Sequence, residues 1–255
     1  MRLRMAIAAL LAAALVFVSL ADAETIQRGG IRVTFDGQIT PKRLPRTGTA
    51  PVSVAVSTKI ASADAADPPQ LTRIQIAINA NGHLDPTGLP VCEVSDIQPS
   101  TTQKALQACP GSQVGEGTFS ATVALTRRVA FPASGKLVAF NGTYKGKPAI
   151  LAHVYGTDPL PTSFTLPFVI GATHGTFGTT LTANLPAAEG NFVTGIELTL
   201  HRTFTYRGKA HSYARAGCPA ANGFPGAVFP FARATYAFAG GGRLTSTLTR
   251  SCEAR

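Results

Sequence analysis

Acidic residues are scarce in this chain. It carries 13 Asp and Glu against 23 Lys and Arg, a formal net charge of +10. A glycosidase-type site needs two facing carboxylates, and few acids are available to supply them. Asp85, Glu93 and Asp96 form one group in turn-like sequence, and Glu189 and Glu197 another. Other signatures are missing outright. There is no Gly-x-Ser-x-Gly elbow, no His-Glu-x-x-His, no Walker loop and no Rossmann glycine pattern after a strand. No Cys-x-x-Cys or Cys/His cluster points to zinc, so neither a metal nor a cofactor is expected. Basic residues never run beyond the pairs Lys42-Arg43 and Arg127-Arg128. A dedicated nucleic-acid site clusters them, so specific nucleic-acid binding is not expected.

What is present begins with an export signal. Met1-Arg2-Leu3-Arg4 is a short basic segment, residues 5–20 are almost wholly apolar, and Ala21-Asp22-Ala23 is a small-x-small site. That order predicts a secretory signal peptide over residues 1–23, cleaved after Ala23. No later apolar stretch is long enough to span a bilayer, so the mature chain, residues 24–255, should carry no transmembrane span. Losing Arg2, Arg4 and Asp22 would take the net charge from +10 to +9. A basic exported protein is drawn to anionic surfaces.

The four cysteines, Cys92, Cys109, Cys218 and Cys252, are an even number in a chain bound for an oxidising compartment. Local spacing favours Cys92 with Cys109 and Cys218 with Cys252. Each short loop would contribute roughly 3–4 kcal/mol.

Periodicity predicts strands. Ile31, Val33 and Phe35 alternate with polar residues, as do Val52, Val54 and Val56, and Ile74, Ile76 and Ile78. Further strands are expected over 118–126, 176–185, 192–206, 213–216, 231–239 and 244–251. Residues 136–171 form the centre: three apolar runs separated by turn-rich segments. Asn141-Gly142 and Lys145-Gly146 both read as turns there. Ala149 to Tyr155 is apolar on both faces except for His153, which predicts a strand covered on both sides. One short helix is expected at 104–108, capped by Ser100 with Gln103. The sum is an all-β fold, an antiparallel β-sandwich of Ig-like or jelly-roll-like type. It would be one domain over 24–255, or two tightly packed halves meeting near residue 128.

Several segments invite a chemical reading. Leu44-Pro45-Arg46-Thr47-Gly48 matches a sortase pentapeptide, but it lies near the N-terminus and reads as a turn. Asn141-Gly142-Thr143 is a glycosylation sequon. His201, Glu197 and His211 are the catalytic candidates, as a polar groove. Thr143-Tyr144-Lys145-Gly146-Lys147 echoes Thr205-Tyr206-Arg207-Gly208-Lys209. Tyr144, Lys145, Lys147, Tyr206, Arg207 and Lys209 are therefore the candidate binding residues, an aromatic ring beside two cations on each of two tips.

The runs APVSVAVSTKI, GLPVCEVSDIQPSTTQKALQAC, VAFNGTYKGKPAILAHVYG and FPGAVFPFARATYAFAGG resemble an uncharacterised family of secreted proteins from high-GC Gram-positive (actinobacterial) bacteria. The resemblance implies secretion and a β-rich character, and it carries no known activity. The expected function is that of an exported, non-enzymatic cell-envelope or extracellular binding or structural protein, with an anionic wall polymer or glycan as partner. The alternative is a secreted hydrolase acting on envelope or environmental polymers.

Overall fold

The computed structural model describes residues 23–64, 69–124, 130–158, 160–185 and 191–255. The export segment at 1–22, Arg127-Arg128, Glu189 and the end of the strand expected over 118–126 lie outside them. The strands in chain order are β1 (Glu24–Arg28), β2 (Ile31–Thr40), β3 (Arg43–Leu44), β4 (Ala50–Pro51), β5 (Ser53–Ser62), β6 (Leu71–Asn79), β7 (Gly82–Leu84) and β8 (Cys92–Glu93). Helices α1 (Val94–Ile97) and α2 (Thr102–Ala108) follow. Then come β9 (Gln113–Val123), β10 (Phe131–Tyr144), β11 (Lys147–Asp158), β12 (Thr162–Ala172), β13 (Phe177–Asn184), β14 (Asn191–Leu200), β15 (Thr203–Tyr206), β16 (Lys209–Ser212), β17 (Ala214–Ala216), β18 (Gly226–Phe238) and β19 (Arg243–Ala254).

The protein is all-β. One 14-stranded sheet runs in the order β1-β2-β5-β14-β9-β10-β11-β12-β13-β6-β18-β19-β3, with β8 added beside β10. Strands from the two halves of the sequence interleave along it. The sheet curls until β1 and β2 lie against β19. Two bridges hold the curl. The Arg250 guanidinium on β19 donates to the Gly37 carbonyl at 2.6 Å and pairs with Asp36 at 2.5 Å, both on β2. Thr58 of β5 and Tyr236 of β18 share a hydrogen bond of 2.8 Å through the core.

Alternation builds that core. Val33, Phe35 and Ile39 on β2 point inward, as the sequence pattern requires, and meet Leu71, Ile74, Ile150, Ala152 and Tyr236. Strand β11 is covered on both faces. Ile150, Ala152 and Val154 look into the curl, while Ala149 and Leu151 pack outward under α1 and α2 with Phe140, Ile97 and Ala105. Each fully buried Val, Leu, Ile or Phe among them stabilises the fold by about 1.5–3 kcal/mol. Both expected disulfides are present, Cys92–Cys109 and Cys218–Cys252, each with its Cα atoms 5.7 Å apart. Among the described residues no helix is long and apolar enough to cross a membrane. These two features are compatible with an extracellular protein.

Five expectations are corrected. Asn141-Gly142 is not a turn: both residues lie inside β10 opposite Ile150 and Ala149. The Asn141 amide donates to the Pro90 carbonyl and its backbone N–H to the Ser112 carbonyl, so the sequon is buried in the sheet. Among the described residues there are two short α-helices rather than one. The first, α1, starts from a reciprocal cap in which Asp96 accepts from the Glu93 backbone. The second is capped one residue later than expected, with Thr101 accepting from the Lys104 N–H and the Ser100 hydroxyl turned back to the Ile97 carbonyl. The long strand expected over 192–206 breaks at His201-Arg202, dividing β14 from β15. Finally, β7 lies at Gly82–Leu84, where the periodicity predicts no strand.

Candidate functional site

The strands define two ends. β10 runs from Phe131 to Tyr144 and β11 returns, so Lys145-Gly146 marks one end, called here the tip end. A three-stranded sheet, β4-β17-β7, and the hairpin β15-β16 lie at this end. The sortase-like segment helps to hold them. Leu44 is buried, the Pro45 carbonyl accepts from the Cys218 N–H, and the Arg46 guanidinium donates to the carbonyls of Ala220 (2.8 Å), Ala221 and Phe224 (2.7 Å).

The two candidate tips are the same turn made twice. Lys145 and Gly146 have φ of 51° and 73°, and Arg207 and Gly208 have 50° and 73°. Both are two-residue hairpin loops with positive φ throughout, the type whose twist matches the flanking strands. In each, the first cation folds back over the tyrosine that precedes it. Lys145 Nζ is 5.3 Å from the Tyr144 ring centroid, and the Arg207 guanidinium carbon is 5.2 Å from that of Tyr206. Such contacts contribute about 0.5–1 kcal/mol at exposed sites. Lys147 and Lys209 begin the return strands and are exposed.

The rings are seated differently. Tyr144 packs against the outer cluster of Cys92, Ile97 and Phe140. Tyr206 lies flat on Gly88, where a Cβ would fall 2.3 Å from the ring, so only glycine fits beneath it. Gly88 to Glu93 is the segment joining the two tips, since Glu93 pairs with Thr143. Five residues span at most about 18 Å, and the strand registers place both hairpins at the tip end. Three acids stand near them. Asp96 is spent on the α1 cap. Asp85 accepts from the Thr87 N–H at 3.1 Å and faces His211 Nδ1 at 3.7 Å. Partial burial pushes the Asp85 carboxyl up, but the Thr87 hydrogen bonds and His211 outweigh it and hold the group below the usual carboxylate range. Glu93 is exposed.

The catalytic candidates are not brought together. Glu197 accepts from the Thr118 hydroxyl across β9 at 3.2 Å. His201 lies four residues further on, about 13 Å along an extended chain, and its Nδ1 is 3.4 Å from the Thr199 carbonyl. His211 stacks on Phe204, with ring centroids 5.5 Å apart, and meets Tyr206 edge-on at 5.9 Å. Among the described residues no hydrogen bond or ion pair joins any two of the three. The one grouping of possible metal ligands there is Cys92, Asp96 and Cys109, and its two sulfurs are bonded to each other.

His153 is the buried histidine of β11. It is fully enclosed, opposite Val138 and Thr165, and neither ring nitrogen has a partner. Burial lowers its pKa below 6.5. An unfolded chain takes up a proton near pH 6.5 while the folded ring stays neutral, so the stability this residue contributes is complete above that pH and declines as the pH falls toward the folded value. The slope is at most about 1.4 kcal/mol per pH unit for one proton. His153→Leu should therefore flatten the loss of stability between pH 7.5 and 5.5 measured by urea unfolding. An unchanged acid slope would show that His153 is protonated in the folded state.

Comparison with family models, with curated proteins and with solved structures finds no match for this chain.

Proposed function

We propose that this is an exported, non-enzymatic binding protein of the cell envelope or extracellular space, and that it contacts anionic polymers or glycans through its two hairpin tips. One observation carries the reading. Two hairpins 62 positions apart in the sequence end in the same tyrosine-cation-glycine-lysine turn with the same ring-cation geometry, at one end of the fold. Each tip offers a half-buried tyrosine edge and two cations for phosphate or carboxylate groups. The net charge of the chain favours the same partners at longer range. The nearby acids Asp85 and Asp96 are held by hydrogen bonds of their own. No observation favours the hydrolase alternative, because His201, Glu197 and His211 are not assembled.

Contacts made by exposed charges weaken with salt, the Debye length being about 8 Å at physiological ionic strength. Replacing Lys145, Lys147, Arg207 and Lys209 together by Ala should weaken binding to teichoic acid, or to an acidic glycan, at least tenfold and reduce its salt dependence. The fold should persist, since exposed substitutions usually cost under about 0.5 kcal/mol each, and circular dichroism would check it. Unchanged affinity and salt dependence would reduce the tips to ordinary turns.

A further inference from the structure

The end opposite the tips is built differently. Here the sheet has a split. β12 pairs with β13 only over Val169–Ala172, at the tip end. From Thr162 to Phe168 it pairs with β11 alone, while Ala183 and Asn184 of β13 follow β6 instead. Two further irregularities fall at the same end. The register slips between Ser134 and Lys136 where β10 meets β11, and between Val193 and Gly195 where β14 meets β9. Bulges at such positions bend strands and recur at barrel rims beside binding sites.

Behind the split lies a cavity of ≈ 540 Å³. Phe119, Val123, Phe131, Val154, Phe164 and Val193 line it, from five strands. Phe119 and Phe164 meet edge-to-face in its wall, with centroids 5.0 Å apart. Its polar lining includes Ser134, Asp158 and Thr162, all exposed. The volume lies within the range of small-molecule sites, about 300–1,000 Å³. At the ~30 Å³ that a water-sized group occupies in a liquid, it takes roughly eighteen such groups. The position is also informative: the space beside Ile150, Ile74 and Leu181 is ≈ 80 Å³, while this end keeps ≈ 540 Å³ open.

We infer that this cavity is a binding site for a single-chain apolar molecule, an alkyl or isoprenoid chain, with its polar end at the exposed rim beside Thr162. The chain replaces water against the aromatic and aliphatic wall. Burying it is favourable by about 25 cal/mol per Å² of apolar surface. The Thr162 hydroxyl, which donates to the Leu160 carbonyl, can accept a hydrogen bond from the polar end at the solvent-exposed rim. The site is separate from the basic tips, at the other end of β10 and β11.

The test uses the secreted protein and N-phenyl-1-naphthylamine, an uncharged dye that brightens in apolar surroundings. Saturable binding of one dye per chain is expected, with displacement by 1-dodecanol. Ala121→Phe fills the cavity from β9 and should lower dye affinity at least tenfold. Ala133 faces the same space from β10, and Ala133→Leu should do the same if the first variant folds poorly. The quadruple tip variant should bind dye like the unmodified protein. No saturable dye binding by the unmodified protein, or equal affinity in both folded filling variants, would overturn the site.

Discussion

Replacing Gly117 by Val should destabilise the protein by more than about 4 kcal/mol, a loss that single substitutions seldom reach. Gly117 lies in β9, clasped between β10 and β14. A Cβ there would fall 1.8 Å from the Glu197 carbonyl oxygen. That atom belongs to the backbone of the neighbouring strand, so no side-chain rotation relieves the overlap. The strands must part, and parting them breaks ladder hydrogen bonds in the middle of the sheet. Gly195 is the control. It lies in β14 beside the same strand, but its Cβ would meet nothing closer than 3.5 Å, and Gly195→Ala should cost little. Urea unfolding of both variants checks the contrast. Equal and small losses would mean that β9 and β14 are not this close.

The second large effect is expected from the buried cystine of the C-terminal half. Cys218 follows β17 and Cys252 lies on β19, and both are almost fully buried. The bond closes a loop of 34 residues, for which loop entropy gives roughly 4 kcal/mol. The pair variant Cys218→Ala, Cys252→Ala should lose about that much in chemical unfolding, with further loss from the packing of the two sulfurs. Cys92–Cys109 spans 17 residues, and its removal should cost roughly 3 kcal/mol. A loss below about 1 kcal/mol for the first pair would show that β19 is held without it, through Arg250 and Asp36.

Much of this architecture is legible in the sequence because it is local. Alternation at Val33 and Phe35 marks β2, and the even cysteines at short spacing give both disulfides. The echo between residues 143–147 and 205–209 leads to two identical turns. The failures share a different cause. Asn141-Gly142 has turn composition, yet a carbonyl from Pro90 and another from Ser112 recruit Asn141 into the sheet. Neither partner is visible from the dipeptide. His201 continues an alternating pattern, but the chain leaves the sheet there because Arg202 and Tyr213 pair to start a separate hairpin. The Glu93–Asp96 cap of α1 has an acid where Ser or Thr is the usual first residue. The cavity depends on strands far apart in sequence and on a split between β12 and β13. Both strands read as ordinary alternation, so nothing local announces the gap. Phe119, Ala121 and Val123 do share one face of the pattern, which places them inside without saying that the space beside them is open.

If the tips are the contact surface, amide chemical shifts will report the contact residue by residue. Isotope-labelled mature protein would be titrated with a wall teichoic acid at low and at physiological salt. The amides of Lys145, Gly146, Arg207 and Gly208 should move together, with one apparent affinity that weakens as salt rises. The amides beside Phe119, Phe131 and Phe164 should stay in place. Shifts that leave both tips still, or that scatter over the other basic residues, would contradict that role of the tips.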